Sequence, residues 1–215
     1  MKSPLCAGRD GFGLYHETSS VNQTSCRLAE ELLQSSRNFK ERIVGTKRKV
    51  VKGLRSKKVS ESAIKDYPYI LFETDINPRG TAFGGRVMEI ADKVAAMVSR
   101  RHSRIDCVTL FVDSFKFLGP AVKGEMLIYK ASVNRVWNTS MEIGIKVCAE
   151  EPLTGKRRHV VSAYFTFVGI GEDGKSALLP PVIPETKDEK RRYRKAQQRR
   201  ERRLAEEKEK QNPRA

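Results

Sequence analysis

One apolar helix pattern followed directly by four strand patterns leaves this chain few architectures. From Gly84 to about Arg101, the residues Val87, Ile90, Ala91, Val94 and Val98 recur at helical spacing and fall on one stripe. Met88, Ala95 and Met97 widen that stripe, while Arg86, Glu89, Lys93 and Arg100 take the far side. Four β-rich segments follow, at 106–118, 125–136, 139–151 and 159–170. Val108, Leu110 and Val112 alternate in the first, and Met141, Ile143, Ile145 and Val147 in the third. The links "GPAVKG", "WN" and "EPLTGKRR" suit antiparallel neighbours. Upstream, "YPYILFET" (67–74) reads as a strand, and "DINPRG" as a turn set by Pro78 and Gly80. The order β-α-β-β-β-β predicts an α+β domain, in which an antiparallel sheet of about five strands wraps one long central helix.

Charge divides the chain. The formal net charge is +16, and residues 40–58 and 190–210 carry +8 and +7 of it. The middle is nearly neutral. Three parts follow: a basic, largely disordered extension at 1–61 with one short helix pattern at 26–44, a compact domain at 62–187, and a charged helical tail at 188–215. The tail has little apolar face, so it is expected to project or lie loosely on the surface. The basic ends suit non-specific contact with RNA or other anionic surfaces, and equally an ordinary solvated surface.

Four cysteines, Cys6, Cys26, Cys107 and Cys148, show no metal-like spacing. Cys107 and Cys148 lie in apolar runs and read as buried thiols. No run of 18 apolar residues is present, and residues 1–20 lack the apolar stretch of a secretory signal, so a cytoplasmic location is expected. No metal, flavin or nicotinamide motif is found, and no cofactor is expected. His102 reads as structural, since no carboxylate or thiol partner lies near it in sequence.

One acid interrupts the apolar helix. Asp92 sits at the margin of the stripe, on a flank with the small residues Gly85, Ala96 and Ser99. It is either a boundary acid paired with a nearby arginine, or a carboxylate that a substrate or partner subunit approaches closely.

The set Asn77–Gly80, "FGGRVMEIAD" (83–92), "RRH" (100–102), "DSFKFLGPAVKGE" (113–125), "NTSMEIGIKV" (138–147), "SAYFTFVGI" (162–170), "DGK" (173–175) and "PPVIPET" (180–186) resembles the hot-dog-fold acyl-CoA thioesterases. The likeness is to the hexameric bacterial short-chain enzymes and the brain-type acyl-CoA hydrolases, and it covers roughly 110 positions. One departure is Trp137, where family members usually carry a small residue, often glycine.

The resemblance implies hydrolysis of an acyl-CoA thioester in a homodimer, assembled as a trimer of dimers. Asp92 would act as general base on water or attack the carbonyl directly; the sequence leaves both open. Backbone N–H groups at Gly84 and Gly85 would polarise the carbonyl. Asn77 would orient water or carbonyl, with the asparagine of one subunit facing the aspartate of the other; the residue also suits an Asx-turn before Pro78. Thr139 and Ser140 match the family's Thr-Ser beside the pantetheine arm, and equally suit strand hydroxyls facing solvent; Phe83 and Asn138 are further substrate-binding candidates. Arg86, Arg104, Arg157 and Arg158 are candidates for the CoA phosphates, as is Lys156. A non-catalytic acyl-CoA sensor, using the basic extension on nucleic acid, is the alternative. Asp92 argues against it, because a ligand-only domain has no use for a carboxylate beside the thioester. A hot-dog dehydratase would want an interior histidine, which the helix does not offer.

Overall fold

The computed structural model describes residues 54–211. The short helix expected at 26–44, and most of the basic extension, lie outside them. The elements are β1 (Lys57–Lys58), a 3-10 turn at Val59–Glu61, β2 (Ile64–Ile70), a second 3-10 turn at Glu73–Asp75, and helix α1 (Gly84–Ser103). Strands β3 (Asp106–Phe117), β4 (Met126–Val136), β5 (Ser140–Glu150) and β6 (Arg157–Ile170) follow, then β7 (Val182–Ile183) and helix α2 (Lys187–Gln211).

Five strands form one antiparallel sheet in the order β2-β4-β5-β6-β3. Its inner face is an alternating apolar set: Leu127, Tyr129, Ala131 and Val133 on β4; Met141, Ile143, Ile145 and Val147 on β5; Val161, Ala163, Phe165 and Phe167 on β6. The α1 stripe, Val87, Ile90, Ala91, Val94, Ala95 and Val98, is buried in the same core. This is the central helix and five-stranded sheet expected from the sequence, the hot-dog architecture. α1 ends where Arg104 turns into the left-handed region at φ 63°.

Three local expectations are corrected. β2 begins at Ile64 and ends at Ile70, short of the expected 67–74. The Asp75 carboxylate accepts the Phe72 N–H at 3.0 Å, which folds residues 73–75 into a turn instead of strand. The packed unit also starts before residue 62. β1 pairs with β7, Val59 is buried, and Ser62 bonds the buried His102.

The third correction concerns the C-terminal tail, which is docked. α2 lies on the outer face of the sheet, with Ala196 fully buried. Arg199 donates to both Glu142 oxygens (2.9 and 2.6 Å) and stacks 3.7 Å from the Tyr164 ring centroid. Arg203 pairs with Asp113 and lies over Phe111, Arg200 lies over Trp137, and Arg135 of β4 lies over Tyr193. The helix lacks an aliphatic stripe because its arginines and Tyr193 serve as the packing face, through planar stacking and buried ion pairs.

Candidate active site

The first turn of α1 carries no side-chain cap and no acidic residue. Phe83 is the N-cap; its N–H donates to the Asp75 carbonyl at 2.7 Å, and its carbonyl accepts from Arg86 and Val87. The N–H groups of Gly84 and Gly85 fall among those that a helix leaves without an internal acceptor. A Cβ at Gly84 would stand 3.2 Å from the Phe117 ring, so β3 closes tightly on this turn. Beside it opens an apolar pocket of about 430 Å³, bounded by Val87, Phe117, Leu127 and Val161.

Asp92 is half-buried two turns further along α1. Its Oδ1 accepts a 2.6 Å hydrogen bond from Thr109 Oγ1 on β3. Asp92 is therefore not a boundary acid neutralised by arginine; among the described residues, its partner is a neutral hydroxyl. Thr109 was not recognised from the sequence. β3 bulges between Thr109 and Phe111, and again between Val112 and Ser114. Strict alternation groups Thr109 with Phe111 and Asp113. The bulges instead place Thr109, Val112, Phe115 and Phe117 opposite the inward residues Phe167, Phe165, Ala163 and Val161.

Asn77 closes a turn. Its Oδ1 accepts from the Arg79 and Thr81 N–H groups (2.9 and 3.3 Å), and its Nδ2 donates to Thr81 Oγ1 at 2.9 Å. The Asx-turn reading thus describes the single chain, and no hydrogen bond joins Asn77 to Asp92 within it. The turn is pinned by bridges from Ile76 to Ala82 and from Thr81 to Val122.

The expected phosphate contacts are mostly engaged elsewhere. Arg86 bonds Asp75, Glu89 and Tyr69, and the hydrogen bonds to Glu89 and then Tyr69 raise its pKa. Arg157 pairs with Glu150 and Asp66. Arg158 grips the buried Glu125 and the Pro120 carbonyl, and its hydrogen bonds hold the Glu125 carboxyl below the usual range. Arg104 caps α1 at the opposite end from Gly84, about 30 Å away along a 20-residue helix. Ser140 is buried, and accepts from Arg200 at 3.1 Å. The carbonyls of Asn138 and Thr139 accept from Leu179 and Gly169. The structure thus gathers Phe83, Gly84, Gly85 and Arg86 at one helix end and Asp92 on the same helix; among the described residues, none of the remaining candidates hydrogen-bonds to them. His102 is structural: it is fully buried between Ser62 and the Pro180 carbonyl, and burial pushes its pKa down. Among the described residues, no group of three or more His, Cys, Asp or Glu side chains could hold a metal.

The chain is similar to known proteins in sequence and in fold. The thioesterase superfamily model matches residues 79–156. Protein VdlD of Helicobacter pylori is 40% identical over 133 residues, 62% of this chain and 76% of that protein. The uncharacterized acyl-CoA thioester hydrolase YkhA of Bacillus subtilis is 35% identical over 119 residues, 55% of this chain and 69% of that one. An acyl-CoA hydrolase from Staphylococcus aureus, solved with butyryl coenzyme A and coenzyme A, superposes with a TM-score of 0.68 at 34% identity, covering 73% of this chain and 95% of that one. A hexameric acyl-CoA thioesterase superposes at 0.69 with 33% identity, covering 71% and 97%. The S. aureus hydrolase has also been solved with an asparagine, an aspartate or a threonine changed to alanine; those positions are spaced by 15 and 17 residues. Asn77, Asp92 and Thr109 have the same two spacings. By sequence and by fold, this chain belongs to the thioesterase superfamily, among its hot-dog acyl-CoA thioester hydrolases, and is a thioesterase.

Proposed function

We propose that the chain hydrolyses acyl-CoA with Asp92 as general base, in a site completed by a second copy of the chain. The observation that carries this reading is the Thr109–Asp92 hydrogen bond, which fixes one carboxylate oxygen and leaves the other for water. Asp92 takes a proton from that water as its oxygen attacks the thioester carbon. The developing oxyanion is held by the N–H groups of Gly84 and Gly85, strengthened by the helix dipole. Collapse breaks the C–S bond and releases the fatty acid and CoA, whose thiolate receives the proton. The reaction draws on water and the protein's own groups. The acyl chain occupies the apolar pocket at Phe117 and Leu127, beside the same helix turn.

A second copy is called for by the edge of the sheet. β3 is an edge strand, and Val108 (51% exposed), Leu110 and Val112 lie open along it. Pairing β3 with β3 of another copy covers these side chains and satisfies the free edge. It also brings a second chain to the strand that holds Thr109, and so lets Asn77 of one copy face Asp92 of the other. The hexameric relative supports assembly of three such dimers. Arg104, Arg157 and Arg158, with Asn138 and Thr139, remain proposed substrate contacts in that assembly. The buried free thiols Cys107 and Cys148 suit the reducing cytoplasm. The sensor alternative is not favoured, because the matched relatives include named hydrolases.

The test is release of free thiol from a panel of acyl-CoA esters of increasing length. Turnover on at least one ester is expected. Mixed Asn77→Ala and Asp92→Asn dimers should regain part of the activity that each lacks alone. No turnover on any ester refutes the reading, and no recovery on mixing refutes the shared site.

A further inference from the structure

On the outer face of the sheet, far from the helix turn at Gly84, lies a second concavity of about 570 Å³. Its floor is made by the middle of β4, β5 and β6, with Ser132, Gly144 and Ser162 among its lining residues. One wall is the segment 59–66 and the other the first turns of α2. Lys130 and Lys146 are directly opposed across β4 and β5 on this floor. Like charges facing each other on neighbouring strands cost stability. Lys65, Arg191 and Arg192 add three more cations around the rim.

The groove's own acids do not neutralise this charge. Asp66 is shared between Lys130 and Arg157, both bonded to it at 3.1 to 3.2 Å. Glu189 accepts from the N–H groups of Glu185 and Thr186 and also feels the charge of Arg192, which it offsets only in part. Among the described residues, Arg191 has only an exposed pair with Asp188. Lys65, Lys146 and Arg192 form no ion pair among the described residues. A concave site with excess cations, hydroxyls on its floor and a cross-strand pair of lysines is built for an anion.

We infer that this groove binds a small, multiply charged phosphate compound, independently of the thioester site. A volume of about 570 Å³ admits a di- or triphosphate group and is too small to seat a duplex or a bilayer surface. Two sources carry such a group: a free polyphosphate compound, and the nucleotide end of CoA. The bound anion would lie between Lys130 and Lys146 and relieve their repulsion, with Arg192 closing over it as a planar donor.

The experiment is calorimetric titration of the full chain with inorganic tripolyphosphate at low salt. One saturable site per chain is expected. Lys146→Gln and Arg192→Gln should each weaken binding about tenfold, the loss of one charge-assisted hydrogen bond. Lys175→Gln, in an exposed turn outside the groove, should not. Lys146→Gln removes a like-charge neighbour, so its thermal midpoint without anion should equal or exceed that of the unsubstituted protein. Displacement of tripolyphosphate by CoA identifies the nucleotide end of CoA as occupant; simultaneous binding identifies a free polyphosphate. Absence of a saturable site overturns the inference. So does equal weakening by Lys175→Gln, which would mean that only overall charge is sensed.

Discussion

Thr109 Oγ1 donates to Asp92 Oδ1 across the gap between β3 and α1, and this one hydrogen bond ties the only acid of the apolar helix stripe to the open edge of the sheet. Thr109→Val keeps the shape and removes the donor. It should lower kcat by about 10- to 100-fold with KM nearly unchanged, because the carboxylate loses its orientation and not its charge. Thr109→Ser should restore most of the rate. Equal activity in Thr109→Val would assign the bond to structure alone.

Arg199 and Glu142 form a buried ion pair between α2 and the sheet, with side chains only 13% and 1% exposed. Burial works against the Arg199 charge, yet its bonds to Glu142 hold its pKa above the ordinary value. Arg199→Ala strands a carboxylate under the helix and should cost about 3–5 kcal/mol in a denaturant titration. A chain cut at residue 187 should be insoluble or unfolded, since it uncovers both Glu142 and Asp113. A soluble, stable 54–187 fragment would contradict the docking.

Acid should weaken the fold in two steps. Burial depresses the His102 pKa below the usual 6.5, so its contribution is full above that value and is lost as pH falls toward the folded pKa. The hydrogen bonds from Arg158 depress Glu125 below 4.5, so its contribution is lost later, as pH falls below that value. Thermal midpoints from pH 8 to pH 3 should show both losses. Glu125→Gln should shrink only the lower one, to which the other depressed carboxylates also contribute, and His102→Asn should remove only the upper.

The general-base route makes an isotopic prediction. In single turnover in ¹⁸O-water, label should enter the fatty acid directly, and the Asp92 carboxylate should stay unlabelled. Label in the Asp92 peptide would show attack by the carboxylate and an anhydride intermediate.

Much of this molecule was legible in its sequence, for a reason visible in α1 and β5. Val87, Ile90, Val94 and Val98, and Met141, Ile143, Ile145 and Val147, each keep one period over the whole element, and each set is buried as that period requires. The acid on the helix could be singled out because it breaks such a period. Thr109 could not, because two bulges reset the alternation of β3 and no local residue announces them. The docking of α2 was equally hidden. Its inner face is Tyr193, Arg199, Arg200 and Arg203, which count as polar until Glu142, Asp113, Tyr164 and Trp137 are set against them. For Arg86, Arg157 and Arg158 the sequence offers charge alone, and in the fold each answers a nearby carboxylate.

The most direct test is the hydrolysis rate of Asp92→Asn beside the unsubstituted chain, with CoA affinity measured on both. The account predicts that kcat falls by roughly 10²–10⁴-fold while CoA binds equally well. Undiminished turnover in Asp92→Asn would contradict it.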